Sequence, residues 1–338
     1  MIILNKIKLG IIYGGVSTEH EVSINSFNGI INNIDKSKYD IYEIYIDKKG
    51  DWYGDNTKII DIFSYLRNLD VVFPVLHGLY GEDGCTSGLL NIVGIPYVGC
   101  DILSSSLCMD KVYTNIMFNT IGLSHAKYIY IKYINDKYIY VDDEFNDKEL
   151  DILDICNIVK NRLCFPVFVK PSRSGSSVGI NKAYNIDELI EYIDYAKRFD
   201  NKILIEENID GREVECAVLG NNDLIVSTVG EIISSSDYYS YDAKYIDNNS
   251  KVVVPADINS DIIDKIKHMA KKAYKLLDCR GLSRIDFFIE INTNKIYINE
   301  INTMPGFTEI SMYPKLLEEE GIVYSELLDR LIMLAINK

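Results

Sequence analysis

Short apolar runs alternate with helical spacing along the first third of the chain. An apolar run over residues 7–13 precedes a Gly-Gly turn and a helical stretch, and further strands are predicted near 41–46 and 71–76. Strands and helices that alternate in this way indicate a parallel α/β sheet. Because ligands bind beyond the carboxyl ends of parallel strands, we expect the glycine-rich turns at 14–15 and 78–84 to lie on one functional rim.

After the first third the pattern becomes that of an α+β fold. The helix that follows Asn185 has apolar residues at the spacing of a core-facing helix, and Glu188 lies three residues after this asparagine cap. The other predicted elements are a helix over 111–121, strands over 126–134 and 137–141, an acidic helix near 148–161, a strand over 166–170, a helix over 259–278, strands over 282–290 and 296–302, and a helix over 324–336.

One connection in this part of the chain is longer than most. The polar, tyrosine-rich segment 233–245 ends in Lys244 and Tyr245. Loops of this length are usually lids or binding loops, and a lid would exclude water from a reactive intermediate. The alternative is that its last two residues are ordinary surface residues.

The last two predicted strands place charged residues opposite one another. If the turn between them centres on Thr293, Asp286 lies opposite Glu300. The same register places Arg284 opposite Asn302 on the same face. Two carboxylates with Cβ atoms about 5 Å apart destabilise a sheet unless something positive lies between them, and Mg²⁺ meets that demand. The pattern predicts a divalent-metal site that substrate phosphates complete; a solvated acidic face is the alternative.

The segment FVKPSRSGSSVG, residues 168–179, has the composition of a phosphate-binding loop. Its small residues and two glycines allow amide groups to approach phosphate oxygens, and Lys170 adds a positive charge. Neither glycine is followed by Lys-Ser or Lys-Thr, so the loop is not a Walker A motif, and the chain has no G-x-G fingerprint. A mobile surface loop is the alternative.

Residues 175–179 also match the G-x-S-x-G pattern of serine hydrolases, with Ser177 as the nucleophile. That pattern requires the serine at a sharp turn between a strand and a helix, whereas a polar stretch follows the predicted strand here. The only downstream histidine, His268, lies in a lysine-rich helix without an evident acidic partner. The α/β hydrolase is the alternative from another enzyme class, and the sequence around Ser177 fits it poorly.

Composition limits the kinds of partner that the protein can bind and indicates its cellular compartment. The chain has 35 Lys and Arg residues against 50 Asp and Glu residues, and its net charge of −15 repels nucleic acid and anionic membranes. Its 338 residues suffice for about two or three folded domains. The sequence shows no apolar membrane-spanning window and no signal-peptide cleavage site, and its seven dispersed cysteines form no CxxC pair. We expect a cytoplasmic protein with reduced thiols.

Eight ordered motifs together resemble the D-alanine:D-alanine ligases of the ATP-grasp superfamily over essentially the whole chain. They are GGVSTEHEVS, LHGLYGEDG, MDK, KPSRSGSSVG, EENIDGREVE, YSYDAKY, SRIDFF and NEINTMPGFTEISMYP. The resemblance implies an ATP-grasp fold with three domains: an N-terminal parallel α/β domain over 1–110 that holds the first D-alanine, a central subdomain over 111–206, and a C-terminal subdomain over 207–338. ATP would be clasped between the last two.

The resemblance also implies the reaction and its partners. The enzyme would be cytoplasmic and commonly a homodimer, and would make D-alanyl-D-alanine for peptidoglycan from ATP and two D-alanines with two Mg²⁺ or Mn²⁺ ions. The carboxylate of the first D-alanine would take the γ-phosphoryl group of ATP, and the amine of the second would then displace phosphate. Nucleic acid and membrane are not expected as partners.

Each matching position takes an implied role. The implied catalytic residues are Glu19, Ser176, Tyr245, Arg284 and the amide of Gly306. The implied substrate-binding residues are His77, Glu82, Lys244, Ser311 and Met312. The implied ATP-binding residues are Lys111, Lys170, Ser177, Glu206, Glu207, Asn208, Ile209 and Glu213. The implied metal ligands are Asp286, Glu300 and Asn302, which agrees with the hairpin argument made from the residues alone.

The acceptor is the remaining question. In relatives of the vancomycin-resistance type that use D-lactate or D-serine, the position of Met312 is commonly Arg and the tyrosine at the position of Tyr245 is replaced. Both positions resemble the D-alanine enzymes here. A D-alanine:D-serine ligase is the alternative, because an apolar pocket discriminates weakly against one added hydroxyl.

Overall fold

The computed structural model describes residues 6–176, 178–233, 251–308 and 310–337, which form three sheets. The first sheet contains β1 (Ile7–Gly14), β2 (Tyr39–Ile46), β3 (Trp52–Gly54), β4 (Thr57–Lys58) and β5 (Val71–Pro74), in the order β4-β3-β2-β1-β5. The helices around it are α1 (His20–Asn33), α2 (Ile62–Leu66), α3 (Cys85–Val93) and α4 (Ile102–Met109).

The parallel α/β prediction is confirmed for the centre of this sheet. Strand β1 pairs in parallel with β2 and with β5, whereas β3 and β4 add an antiparallel hairpin at one edge. Since β1 and β5 are neighbours, the loops after them meet: the Ser17 hydroxyl donates to the His77 carbonyl at 2.7 Å. The two glycine-rich turns therefore share one rim, as the sequence predicts.

The second sheet is antiparallel throughout. Its strands are β6 (Tyr128–Ile134), β7 (Lys137–Val141), β8 (Asp147–Leu150), β9 (Val167–Pro171), β10 (Asn181–Ala183) and β11 (Lys202–Glu207), in the order β10-β9-β11-β6-β7-β8. Its helices are α5 (Lys111–Thr120), α6 (Ile152–Arg162) and α7 (Ile186–Ala196). The Glu188 amide donates to the Asn185 side chain at 3.0 Å, so the predicted cap is confirmed.

The predicted start of the acidic helix near 148–161 is wrong. Residues Asp147–Leu150 form the edge strand β8 beside β7, and α6 begins only after Asp151. The Asp151 side chain accepts the Asp154 amide at 2.8 Å, which caps the helix at that point. Pairing with β7 thus overrides the weak helical preference of the charged residues before the cap.

The third sheet contains β12 (Gly211–Leu219), β13 (Ile225–Ile233), β14 (Lys251–Val253), β15 (Leu282–Glu290) and β16 (Ile296–Asn302), in the order β14-β13-β12-β15-β16. The helices of this part are α8 (Ser260–Leu276), α9 (Met312–Glu319) and α10 (Tyr324–Ile336). The predicted bounds of β15, β16 and α10 are confirmed. Each sheet lies within one of the predicted segments 1–110, 111–206 and 207–338, except that β11 extends one residue past 206, to Glu207. The division of the chain into three domains stays a prediction.

An apolar core joins the end of the chain to the first sheet. Leu327 and Leu331 of α10 are fully buried in the same cluster as Leu9 of β1 and Phe73 of β5. Phe307 also belongs to this cluster, and its ring packs edge-on against Phe73 with 5.5 Å between centroids. This packing brings the loop after β16 beside the glycine-rich rim. Within the described residues, no helix combines the length and hydrophobicity needed to span a bilayer.

Candidate active site

Two cavities lie side by side among the three sheets. The first has a volume of about 390 Å³ and is lined by the second and third sheets. The second, of about 650 Å³, is lined by the glycine-rich rim, the third sheet and the loop after β16. Lys111, Ser176 and Glu300 line both cavities. Ser174 and Ile232 also line both, so ligands in the two cavities would approach each other at these five residues.

The first cavity collects nearly all the residues predicted to bind ATP. Its lining includes Lys111, Lys170, Glu206, Glu207, Asn208, Ile209 and Glu213. Ser177 lies outside the described residues. Phe168 of β9 and Ile232 of β13 add apolar surface to a lining that is otherwise rich in charged groups. A cleft with this mixed apolar and polar lining suits a nucleotide, with its flat base and charged phosphates.

Lys170 and Glu206 form a buried ion pair inside this cavity. The Lys170 ammonium bonds to Glu206 Oε1, and both side chains are only 10% exposed. The same ammonium lies 5.4 Å from the centre of the Phe168 ring. The sequence does not reveal this pairing, because β9 and β11 are separated by the whole of α7. Lys170 is thus held in place before any phosphate arrives.

The segment predicted to face adenine is held by hydrogen bonds to the residues just before β6 and β9. The Glu207 amide donates to the Lys127 carbonyl at 2.9 Å, and the Glu207 carboxylate accepts the Lys127 amide at 2.9 Å. The Asn208 amide donates to the Pro166 carbonyl at 3.3 Å. Glu207 therefore fixes the backbone of this segment with its own side chain.

Lys111 is aimed at the junction of the two cavities. Its ammonium donates to the Ser174 carbonyl at 2.8 Å and lies 3.3 Å from Glu300 Oε2. The backbone amide of Lys111 donates to the Ser172 carbonyl at 3.0 Å. The first residue of α5 is thus attached to the phosphate-loop segment by both its main chain and its side chain.

Glu19 lies on the glycine-rich rim, beside the residues that line both cavities. It is 6% exposed, and the Ser176 hydroxyl donates to its Oε1. Gly78 and Gly175 both line the space around the other oxygen: a Cβ on Gly175 would lie 2.8 Å from Glu19 Oε2, and a Cβ on Gly78 would overlap it. The glycines of two separate motifs therefore make room for one carboxylate.

Glu82 and His77 also line the second cavity but are held by the protein. Burial, followed by the charge of Glu19, raises the pKa of Glu82 to about 8, and Glu82 Oε2 accepts the Gly78 amide at 2.8 Å. Burial lowers the pKa of His77. His77 Nδ1 donates to the Met304 carbonyl at 3.0 Å, so its Nε2 accepts the Ser26 hydroxyl, also at 3.0 Å.

His77 is therefore a neutral link between the rim and the loop after β16. Both of its ring nitrogens are used by protein groups, and the Ser26 hydroxyl it binds also accepts the Phe307 amide at 3.2 Å. This arrangement supports a structural role for the ring more strongly than direct contact with a substrate.

The hairpin register predicted from the sequence is confirmed at the site. Arg284 pairs with Asn302 and Asp286 pairs with Glu300 across β15 and β16. The register then shifts by one residue between Asp286 and Phe287, a bulge that the sequence did not predict. Because the shift lies on the turn side of Asp286, the four polar residues keep the predicted face.

The positive charge beside Asp286 is Arg284, so a protein side chain meets part of the demand for which the sequence suggests Mg²⁺. Arg284 donates to both oxygens of Asp286, at 2.8 and 2.7 Å, and lies 2.9 Å from Glu215 Oε2 on β12. Asn302 Nδ2 donates to Asp286 at 2.9 Å. Although burial alone would lower the pKa of Arg284, the charges of Asp286 and Glu215 hold it well above its ordinary value.

The remaining oxygen donors still fit a hard divalent cation. Glu300 and Asn302 both line the second cavity, and Asp286 accepts a hydrogen bond from the Asn302 side-chain amide. Within the described residues, no three His, Cys, Asp or Glu side chains are close enough to hold a metal by themselves. Two carboxylates and an amide oxygen form an incomplete set of the type that Mg²⁺ completes with water and phosphate oxygens.

The loop after β16 forms a tight turn at the far end of the second cavity. The Ser311 hydroxyl accepts the Thr308 amide at 3.0 Å, and a Cβ on Gly306 would lie 2.9 Å from this hydroxyl. Met312 begins α9 and is 5% exposed; its thioether fills the space left by the missing side chain of Gly230. All the predicted residues of this loop line the cavity.

The last predictions concern the lid residues Lys244 and Tyr245 and the hydrolase alternative. Lys244 and Tyr245, with the proposed lid, lie outside the described residues. The segment 175–179 connects the antiparallel strands β9 and β10 and is not followed by a helix. The strand–turn–helix geometry of a hydrolase nucleophile is therefore missing there.

Sequence reasoning missed three residues that line or support the site. Phe168 and Lys182 are direct partners across β9 and β10, and both line the first cavity. Glu215 is the direct partner of Asp286 on β12. The alternation in REVECAVL carries a signal for Glu215, since it points every second residue to one face. For Lys182, one short strand of three residues offers too little pattern to detect.

Comparison with known proteins agrees with this geometry. Two family models match the chain: "D-ala D-ala ligase N-terminus" over residues 8–65 and 57–100, and "D-ala D-ala ligase C-terminus" over residues 120–333. The chain belongs to the D-alanine–D-alanine ligase family. Members of this family are ATP-dependent ligases, so the ATP-grasp fold and the ligase class predicted from the motifs are confirmed.

Similar proteins cover nearly the whole chain. The D-alanine–D-alanine ligase of Acetivibrio thermocellus is 44% identical, over 99% of this chain and 97% of that protein. The crystal structure of the VanG D-Ala:D-Ser ligase from Enterococcus faecalis is 36% identical with a TM-score of 0.85, over 98% of this chain and 100% of that one. The D-alanine–D-alanine ligase from Bacillus anthracis complexed with ATP is 29% identical with a TM-score of 0.78, over 99% and 98%.

Proposed function

We propose that this protein joins two D-alanine molecules into D-alanyl-D-alanine at the expense of ATP, in the cytoplasm, to supply peptidoglycan synthesis. The observation that carries the proposal is the meeting of the two cavities at Lys111, Ser176 and Glu300. ATP in the first cavity would direct its γ-phosphoryl group toward an amino acid in the second. Phosphoryl transfer requires this placement, because most of its catalysis is positioning and charge stabilisation.

The first cavity would bind ATP through the residues that line it. The backbone of 206–209 would face adenine, Ile209 would pack on the base, and Glu213 would bond to the ribose. Lys111 and Lys170 would contact phosphate oxygens, and Ser177 would belong to the loop over them. Lys170 is already paired with Glu206, so the bound phosphates would compete with that carboxylate for its protons.

Asp286, Glu300 and Asn302 would hold Mg²⁺ or Mn²⁺ ions, two of them in the full complex. When bound, the ions supply positive charge to the phosphate oxygens. Glu300 also contacts Lys111, so the metal ligand and the phosphate-binding lysine form one connected group. This connection supports a common site for nucleotide and metal.

The first D-alanine would bind on the rim. Its ammonium group would lie against Glu19, with His77 and Glu82 completing that end of the cavity. Its carboxylate oxygen attacks the γ-phosphorus, and the bond between that phosphorus and the β-phosphate oxygen breaks. ADP leaves, and D-alanyl phosphate remains in the site. Arg284 and the amide of Gly306 would stabilise the negative charge on the carboxyl oxygen, the role for preorganised donors that usually contributes most to rate.

The second D-alanine would bind beside Ser311 and Met312, with Lys244 near its carboxylate. Its amine attacks the acyl carbon, the carbon–oxygen bond to phosphate breaks, and inorganic phosphate leaves with the proton that the amine loses. Glu19, Ser176 and Tyr245 would latch the lid that keeps water from the acyl phosphate. The Glu19–Ser176 bond supports half of this latch.

A direct test follows the oxygen atoms. D-alanine labelled with ¹⁸O in its carboxylate should transfer one labelled oxygen to inorganic phosphate for each dipeptide formed, because the carboxylate oxygen that attacks phosphorus leaves with it. Phosphate without label, at normal dipeptide yield, would contradict the acyl-phosphate route.

D-serine as the acceptor is the second candidate. It is favoured by the 36% identity to the VanG D-Ala:D-Ser ligase, whereas Met312 at the acceptor end supports D-alanine, since a buried thioether offers no charged donor to a hydroxyl. The ratio of kcat/KM for the two acceptors decides between them. A ratio above one for D-alanine supports the main proposal.

The protein is also proposed to form a homodimer. Leu79 and Tyr80 on the rim, together with Leu103 of α4, are each at least half exposed, which leaves apolar surface on the first sheet's side of the molecule. Analytical ultracentrifugation at micromolar concentration should give twice the mass of 38.6 kDa; a single species at the monomer mass would contradict this part of the proposal.

A further inference from the structure

Asp110 is buried at the point where three separate segments of the chain meet. It ends α4, caps α5 through the Tyr113 amide at 3.3 Å, and is 6% exposed. Ser172 of the phosphate-loop segment donates its hydroxyl to Asp110 Oδ1 at 2.6 Å. Lys202, the first residue of β11, donates to Asp110 Oδ2 at 2.6 Å. Both carboxylate oxygens are therefore bonded to groups from distant parts of the sequence.

Lys202 is enclosed as well as paired. Its side chain is 13% exposed, and its ammonium lies 4.2 Å from the centre of the Tyr113 ring. Its carbonyl accepts the Ser172 amide at 2.9 Å. The pair differs from the surface ion pair of Lys137 and Glu149, whose side chains are 56% and 58% exposed. A buried pair of this kind sets the geometry of what surrounds it, because either charge alone would be left without a partner.

The group held by these contacts is the start of α5. Ser172 accepts the Lys111 amide with its carbonyl and the Val112 amide with its hydroxyl, at 3.0 and 3.3 Å. Lys111, next to Asp110, reaches from there to Ser174 and Glu300. One path from Asp110 to the cavity junction thus runs through Lys111.

We propose that Asp110 is a positioning residue, which with Lys202 and Ser172 fixes Lys111 over the phosphates. Asp110 lines neither cavity, so it would act only through its neighbours. The proposal rests on the ATP site described above. It adds that the fit of Lys111 to phosphate depends on an ion pair formed outside the cavities.

The test compares Asp110→Asn, Lys202→Met and the double variant in the full-length protein. Asp110→Asn should lower kcat at least tenfold and weaken ATP binding, measured by calorimetry without D-alanine, while KM for D-alanine stays within twofold. The double variant removes both buried charges, so it should regain most of the melting temperature but not kcat. Glu149→Gln, at the exposed pair, is the control and should match the original protein in all these measurements.

A double-mutant cycle with Lys111→Ala tests whether Asp110 acts through Lys111. If Asp110 acts through Lys111, Asp110→Asn should lower kcat by less than twofold further in a protein that already carries Lys111→Ala. A full tenfold further loss would overturn the proposal, and so would a double variant with normal kcat. If the original protein forms no dipeptide, the function proposed above fails, and the calorimetric comparison still decides whether Asp110 supports ATP binding.

Discussion

At the scale of single residues, the structure shows that the hairpin carboxylates are already neutralised within the protein. Arg284 bonds to both oxygens of Asp286 and lies beside Glu215. The repulsion expected from sequence alone would make Asp286→Asn stabilising, and the observed pairing reverses that expectation. A residue whose charge balances a buried guanidinium contributes to stability as well as to chemistry.

Asp286→Asn should therefore unfold more easily and also lose turnover. Removing one partner of a buried ion pair costs about 3 kcal/mol, so the melting temperature without metal should fall. Dipeptide formation should drop to background, because the metal-binding set loses a carboxylate. The exposed control Glu149→Gln should change stability by less than about 1 kcal/mol. An Asp286→Asn protein that melts above the original would contradict the role given to Arg284.

Glu82 gives a stability prediction with a definite sign. Its pKa of about 8 in the folded protein lies above the ordinary value of 4.5, so the folded state holds a proton that the unfolded state releases between these two values. The contribution of Glu82 to stability is therefore full below pH 4.5 and is lost as pH rises toward 8. Glu82→Gln should melt increasingly above the original protein between pH 5 and 8. A constant difference over that interval would contradict the raised pKa.

At the scale of elements, the glycine-rich turns act through what they leave room for. Gly78 and Gly122 have the same φ of +69°, but a Cβ on Gly78 would overlap the Glu19 carboxylate, whereas a Cβ on Gly122 would meet nothing within 4 Å. Comparing alanine substitutions at these two glycines therefore separates the free-energy cost of backbone strain from the cost of moving Glu19.

Both Gly78→Ala and Gly122→Ala should lose about 1 kcal/mol of stability to the left-handed backbone. Only Gly78→Ala should also lower kcat/KM for D-alanine, by tenfold or more, because the alanine methyl group displaces Glu19. Steady-state kinetics on the two variants make the comparison. Equal activity in both would remove the argument that these glycines shape the amino-acid site.

The element scale also shows what the sequence could and could not predict. The periodicity and the cap at Asn185 predicted α7, and a turn centred on Thr293 predicted the pairing of Asp286 with Glu300. The start of α6 was misplaced because edge pairing, a long-range contact, decided the conformation of Asp147–Leu150. Local pattern predicts elements with a strong apolar face and fails where a neighbouring strand makes the choice.

The same limit applies to the site. Charged residues within one motif, such as those of the hairpin, could be placed from spacing alone. The pairings Lys170 with Glu206 and Asp110 with Lys202 join residues 36 and 92 positions apart, and no local pattern encodes them. The roles of the motif residues came from the family resemblance, and the structure adds the contacts that hold those residues.

At the scale of the whole molecule, three sheets and the returning C-terminal helix place two cavities in contact. If nucleotide fills the first, binding should stabilise the entire fold: ATP with Mg²⁺ at a hundred times its dissociation constant should add about 2.7 kcal/mol to the free energy of unfolding. EDTA should abolish dipeptide formation, and excess Mg²⁺ should restore it. A melting temperature that ignores ATP would contradict the assignment of the first cavity.

The most direct measurement of the central claim is product analysis by mass spectrometry after incubation with ATP, Mg²⁺, D-alanine and an equal concentration of D-serine. The account predicts D-alanyl-D-alanine as the main product, formed with one ADP and one phosphate per peptide bond, and no product without ATP. A predominance of D-alanyl-D-serine would contradict the acceptor assignment, and the absence of any dipeptide would contradict the proposed function.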